Sequence, residues 1–124
     1  MKRHVVIAAI VIAMVWSASL GAADPSGRWS ATFMTDVGEQ SYTYEFIVMG
    51  TTLTGTAKGS LTGETKISDG MIDGDTITFV ENATFMGMPV RFTYSGKMTS
   101  ADQIEFTRNV MDIATEKLTA RRVK

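Results

Sequence analysis

The sequence predicts an all-β protein: an eight-stranded antiparallel up-and-down meander barrel, preceded by a signal-peptide helix. Three observations carry that expectation. Apolar and polar residues alternate with period two from Trp29 to Arg122, which is the period of a half-buried strand. The alternating runs are short, rich in β-branched and aromatic residues, and separated by turn residues every ~8–12 positions, as in sandwiches and barrels. No window long enough for a stable helix shows helical spacing after the N-terminal segment.

That segment reads separately. Lys2, Arg3 and His4 form a positive start, and Val5 to Leu20 are apolar except for Ser17 and Ser19. Gly21-Ala22-Ala23 then places small residues before Asp24-Pro25. This is the layout of a secretory signal peptide cleaved after about Ala23. A membrane anchor would want ~20 predominantly apolar residues and flanks that stop transfer. The domain expectation is therefore residues 1–23 as signal peptide and residues 24–124 as one barrel, secreted or periplasmic.

The strands follow in order. Trp29, Ala31 and Phe33 share one face of the first, Gly27 to Phe33. Tyr42, Tyr44, Phe46 and Val48 share a face of the second, Ser41 to Met49, and Leu53, Gly55 and Ala57 of the third, Thr52 to Gly59. A fourth runs around Thr65 to Ile72 and a fifth from Asp75 to about Ala83. Val90, Phe92, Tyr94 and Gly96 mark the sixth, Ile104, Phe106 and Arg108 the seventh, and Leu118, Ala120 and Arg122 the eighth. Short connections between successive strands favour a meander. Gly50-Thr51, Asp73-Gly74 and Thr99-Ser100-Ala101 read as tight turns at one end. Met34 to Gln40, Ser60 to Glu64, Phe85 to Pro89 and Asn109 to Ile113 read as longer loops at the other. Pairing the first strand with the last would close the sheet and remove its edges.

The stretch Ile67-Ser-Asp-Gly-Met-Ile-Asp-Gly-Asp-Thr-Ile-Thr-Phe79 poses a choice between a calcium loop and a corner. Counted from Asp69, the third position is Met71 and the twelfth is Val80, where a calcium loop of the EF-hand type needs a bidentate carboxylate. Asp73-Gly74 between alternating apolar residues instead reads as a type I′ hairpin turn, and Gly70 as a bulge in the incoming strand. Gly96 to Phe106 repeats the pattern with one inserted residue.

Composition narrows the chemistry. The chain has no cysteine and a single histidine, His4, which leaves with the signal peptide. Catalysis through Ser-His-Asp or Cys-His, and His- or Cys-ligated metals, then lack their residues. The expectation is no enzyme, no cofactor and no metal. Removing Lys2 and Arg3 leaves ten basic residues against thirteen acidic ones, a formal net charge of −3 for residues 24–124. That balance offers no basic patch for nucleic acid. A monomer with no membrane insertion of the mature chain is expected.

Gly27-Arg28-Trp29, together with an arginine in the last strand (Arg122 by parity), resembles the calycin-type barrels: lipocalins, fatty-acid-binding proteins and avidins. The resemblance implies that Arg122 packs over Trp29 and closes one end. It extends in strand order over most of residues 24–124 and is also similar to small exported bacterial barrels with no established activity.

For function, the inner face gathers Tyr42, Tyr44, Phe46, Phe79, Phe92 and Tyr94, and alternation turns Glu81 and Arg108 inward with them. An eight-stranded barrel is just wide enough to be filled by side chains or to hold one small ligand. Met86 and Met88, on a loop of the opposite end, are flexible side chains suited to an adaptable mouth. These ten residues are the candidate ligand site, and Trp29 and Arg122 the structural closed end. The expected function is non-catalytic binding of a small apolar or amphipathic ligand. The alternative is a side-chain-filled module that contacts a protein or a glycan.

Overall fold

The computed structural model describes residues 24–124. The segment read as a signal peptide, residues 1–23, lies outside the described residues. Eight strands follow in sequence: β1 (Gly27–Thr35), β2 (Gly38–Met49), β3 (Thr52–Gly59), β4 (Gly63–Asp73), β5 (Thr76–Phe85), β6 (Met88–Ser100), β7 (Gln103–Val110) and β8 (Ala114–Arg122). Each pairs antiparallel with the next, and β8 pairs with β1 to close the barrel. The fold is thus the up-and-down meander that alternation predicts.

The inside is built from one parity of every strand. Trp29, Phe33, Tyr42, Tyr44, Phe46, Phe79, Phe92, Tyr94 and Phe106 are all buried in a single cluster. Burial of this many large rings supplies much of the apolar area a small domain without disulfides needs. The rings also stack: Phe79 lies 4.2 Å from Tyr94, centroid to centroid and nearly parallel. Phe33, Tyr42, Tyr44 and Phe46 form a ladder along β1 and β2.

The strands run longer than the sequence suggests at one end, and this corrects the division into tight and longer loops. Asp36-Val37 and Met86-Gly87 are two-residue turns, and residues 60–62 and 111–113 are three-residue turns. In three of the four, a glycine in the turn or just after it explains the difference, and in the fourth Met111 and Asp112 take positive φ. Gly38, Gly63 and Gly87 all take positive φ, a conformation that lets hairpin strands leave a short turn without splaying. The Thr35 hydroxyl tightens the first of these turns. It donates to Gly38 O at 2.8 Å and accepts from Val37 N at 3.2 Å.

The aspartate-glycine stretch is a hairpin, one residue off the expected register. Asp73 pairs with Thr76, so Gly74 and Asp75 occupy the corner. Gly74 has a φ of 63° and Asp75 stays negative, the pattern of a II′ turn and not of I′. The bulge falls where Gly70 predicts it: Asp69 and Gly70 together oppose Phe79 between the pairs Ser68↔Val80 and Met71↔Thr78. A Cβ on Gly70 would collide with the Leu53 carbonyl. Here the sheet bends sharply enough for backbone to meet backbone, which is how a flat ladder becomes a barrel wall.

At this same end the barrel is plugged. The Arg122 guanidinium lies 4.5 Å from the Trp29 ring, and Trp29 Nε1 donates to Pro25 O at 2.8 Å. Arg122 also donates to Ser26 O, Asp24 O and Ala101 O. The segment before β1 is thereby drawn across the opening. The closure of the sheet itself is lighter, resting on the ladder pairs Trp29↔Arg122 and Ser30↔Arg121 and on Val123 N donating to Arg28 O at 2.8 Å.

Candidate functional site

Away from the plug, the lumen changes character from aromatic to charged. β5 carries Glu81 inward and β7 carries Arg108, and both side chains are 0% exposed. The β5–β6 ladder is unbroken from Thr76 to Phe85, so no bulge turns Glu81 outward. Two buried charges are costly unless matched by partners, and here partners are present.

Glu81 accepts from Tyr42 Oη through Oε2 at 2.9 Å and from Tyr94 Oη through Oε1 at 2.8 Å. With Glu81 ionised, each of these hydroxyls spends its one proton on the carboxylate, so the remaining bonds are directed. Thr62 must donate to Tyr42 (2.8 Å) and Tyr44 must donate to Tyr94 (3.0 Å). Arg108 Nη1 completes the Tyr94 oxygen at 3.2 Å and lies 4.0 Å from Glu81 Oε1. On its other side, Arg108 Nε donates to Glu116 Oε1 at 2.8 Å. Nη2 sits 2.7 Å from the same oxygen, an ion-pair contact outside hydrogen-bonding geometry. The guanidinium face rests 3.9 Å from the Phe92 ring centre and 4.9 Å from Phe33.

The ionisations follow from these contacts. Burial pushes the Glu81 carboxyl above its usual range, against the hydrogen bonds from Tyr94 and Tyr42 and the Arg108 charge. Burial also raises Tyr42 to about 12, with the Glu81 charge adding to it. Tyr44 and Tyr94 are raised well above 10, again chiefly by burial. For Arg108, burial works against the charge, but the Tyr94, Tyr42 and Glu116 oxygens outweigh it. The guanidinium stays protonated.

Above Arg108 a cavity of about 260 Å³ opens between the loop ends. Val37, Phe85, Val90, Phe92, Val110 and Ile113 give it apolar walls, and Thr35, Gln40 and Thr62 give it polar points. Its charged lining is Asp36, Arg108 and Glu116. Two sides of the opening, Thr35 to Val37 and Ala114 to Glu116, belong to the mouth ends of β1 and β8 and the turn after β1. There, no ladder pair joins the two strands.

The ten sequence-derived site residues thus separate by depth. Phe92 and Arg108 line the cavity. Tyr42, Glu81 and Tyr94 form the polar layer bonded to one another beneath it. Tyr44, Phe46 and Phe79 lie deeper, packed with Phe106 into the closed lumen. Met86 and Met88 do not join them: they are 86% and 66% exposed and fall outside the cavity lining. The tight Met86-Gly87 turn holds both side chains out in solvent, which corrects their placement in the mouth.

Asp36, Gln40 and Glu116 are among the cavity residues absent from the sequence-derived site. Asp36 and Gln40 fall within what reads as a loop, and Glu116 precedes the residues that mark the last strand. Parity offered a signal for two of them. Gln40 continues the face of Tyr42 and Tyr44, and Glu116 that of Leu118 and Ala120.

No family model matches the chain, and no curated protein matches it. Among solved structures it is similar to a redesigned β-barrel, mFAP1, bound to DFHBI. That match has 14% identity over 79% of this chain and 94% of the other, with a TM-score of 0.58. A second redesigned β-barrel matches at 20% identity over 86% of this chain and 95% of the other, with a TM-score of 0.62. EF1p2_mFAP2b, bound to DFHBI, matches at 16% identity over 86% and 96%, with a TM-score of 0.56. Identities this low establish a common architecture, and that architecture is the closed β-barrel.

Proposed function

We propose that the protein is an exported, non-catalytic binding barrel that takes one small apolar or amphipathic molecule at its open end. The observation that carries this reading is the cavity of about 260 Å³, apolar on its walls and floored by a buried arginine. A concave apolar site with a few convergent polar groups is the usual form of a small-molecule site. The likeness to two barrels bound to DFHBI supports the fold's capacity to accommodate a ligand. Kinship with the calycin-type barrels rests on the stacked Trp29 and Arg122. The absence of histidine and cysteine from residues 24–124 argues for binding over catalysis.

A second reading, a filled interaction module, draws on the depth of the aromatic packing below the cavity. One experiment separates the two. Native mass spectrometry of the protein purified from its own compartment should find a co-purifying small molecule. Titration with a lipid panel should shift the methyl resonances of Val37, Val90 and Ile113. Trp29 fluorescence is the wrong reporter, because Trp29 lies in the plug at the other end. A protein that comes out bare and whose methyls stay unmoved by every lipid belongs to the second reading. Export is checked on the same sample, whose N-terminus should be Asp24.

A further inference from the structure

The charge lining the cavity identifies the head group that fits it. Arg108 is the one cation among the described residues of the lining, and its charge is already shared by Glu116 and Glu81. Whether or not Glu81 holds a proton, no positive charge is left over. Asp36 adds a carboxylate at the rim. Both Arg108 contacts to Glu116 fall on Oε1, leaving Oε2 without a partner among the described residues.

A second observation points the same way. Gln40, 4% exposed, stands in the cavity wall with its Oε1 unpaired. Its orientation is fixed by chemistry. The Thr35 hydroxyl spends its proton on Gly38 O, so it can only accept from Gln40, and it does so from Nε2 at 3.1 Å. The amide oxygen is therefore the free end, a buried acceptor waiting for a donor. Arg108 Nη2 is the one group that would welcome an acceptor. A carboxylate placed there would nevertheless add a negative charge beside Glu116, where a single cation already serves two acids.

Building on the binding reading above, we propose that the ligand is an amphipathic amine: an ammonium or other N–H donor on an apolar body. Its head meets Gln40 Oε1, Glu116 and Asp36, and its tail lies along Val37, Val90, Val110 and Ile113. The cavity has the volume of about nine liquid water molecules at ~30 Å³ each, so an eight-carbon chain fills it.

The test uses three probes of one length, octylammonium, octanoate and octanol, followed through the Val37, Val90 and Val110 methyl resonances of the exported protein. Octylammonium should bind at least about tenfold more tightly than octanoate, the ratio expected for one charge-assisted contact. Glu116→Gln should shrink that ratio several-fold, because it removes one acid facing the head group and leaves Arg108 only Glu81 as its acid. Asp36→Asn, at an exposed turn where folding is not at risk, should weaken octylammonium several-fold more than it weakens octanol. Octanoate binding as well as or better than octylammonium to the unmodified protein would overturn the amine and leave the binding reading standing. Silence from all three probes would overturn both.

Discussion

Glu81 shows how a single residue sets the protein's response to pH. Its folded carboxyl titrates above its ordinary 4.5 because burial disfavours the charge. Between the unfolded and the folded titration, the native state holds a proton that the unfolded chain has released. Stability therefore falls as pH rises from 4.5 through the folded value, then levels off. Asp24 works in the opposite sense. Its carboxyl is lowered from 3.8 by the Ser26 hydrogen bonds, so stability is lost as pH falls below that value. The expected thermal stability peaks at mildly acid pH, and Glu81→Gln should flatten the limb above the peak. Melting temperatures from pH 3 to pH 9 check both statements. A native protein equally stable from pH 4 to pH 9 would remove Glu81 as the cause. Parity alone places Glu81 and Arg108 inside. The same parity turns their partners Tyr42 and Tyr94 inward beside them. Glu116, which bonds Arg108, is missed because it lies near a strand end, where turn chemistry decides how far the ladder runs.

Among the elements, β4 carries the sharpest local demand. Its bulge at Asp69-Gly70 brings Gly70 against the Leu53 carbonyl, leaving no room for a methyl group. Gly70→Ala should destabilise the fold by about 2 kcal/mol or more, since backbone must move to admit the side chain. Gly96, its counterpart in the repeated hairpin, meets a side chain instead: the Phe106 ring lies over it. Gly96→Ala should therefore be eased by shrinking the ring with Phe106→Leu, whereas no single partner substitution should ease Gly70→Ala. Urea denaturation of the four variants compares the two cases. The hairpins are legible in the sequence because a glycine, the Asp before the strand and Ile-x-Phe recur. The different tasks of the two glycines are not legible, since one answers to a neighbouring strand's backbone and the other to a ring across the ladder.

For the molecule as a whole, stability is unevenly distributed around the ring of strands. β5 and β6 share ten ladder pairs from Thr76↔Lys97 to Phe85↔Met88. β1 and β8 share only Trp29↔Arg122 and Ser30↔Arg121. Arg122 carries much of that closure through its stack on Trp29 and its bonds to the Asp24, Ser26 and Ala101 carbonyls. Arg122→Ala should cost about 2–3 kcal/mol, from several partly desolvated charge-assisted bonds and a cation–π contact. Amide exchange should then quicken first at Ser30, Arg121 and Val123. Uniform quickening around the barrel would show that the closure is not a separate unit. The Gly-x-Trp and the late arginine made this plug legible in advance. The gap between the same two strands at the cavity was not, because alternation describes faces and says nothing about which neighbours are hydrogen-bonded.

The plug has one more consequence, which concerns the order of the chain. Arg122 grips the carbonyls of Asp24 and Ser26, so the two ends of the described chain lie side by side at the sealed pole. In a cycle of eight antiparallel strands none is first by geometry. β1 is first by chain order alone. Joining Lys124 to Asp24 through a short flexible linker and reopening the chain at Gly50-Thr51, a turn at the same pole, should yield a permuted protein that folds. Its amide spectrum should match the parent's everywhere except near the old and new ends, and the cavity at the far pole should remain intact.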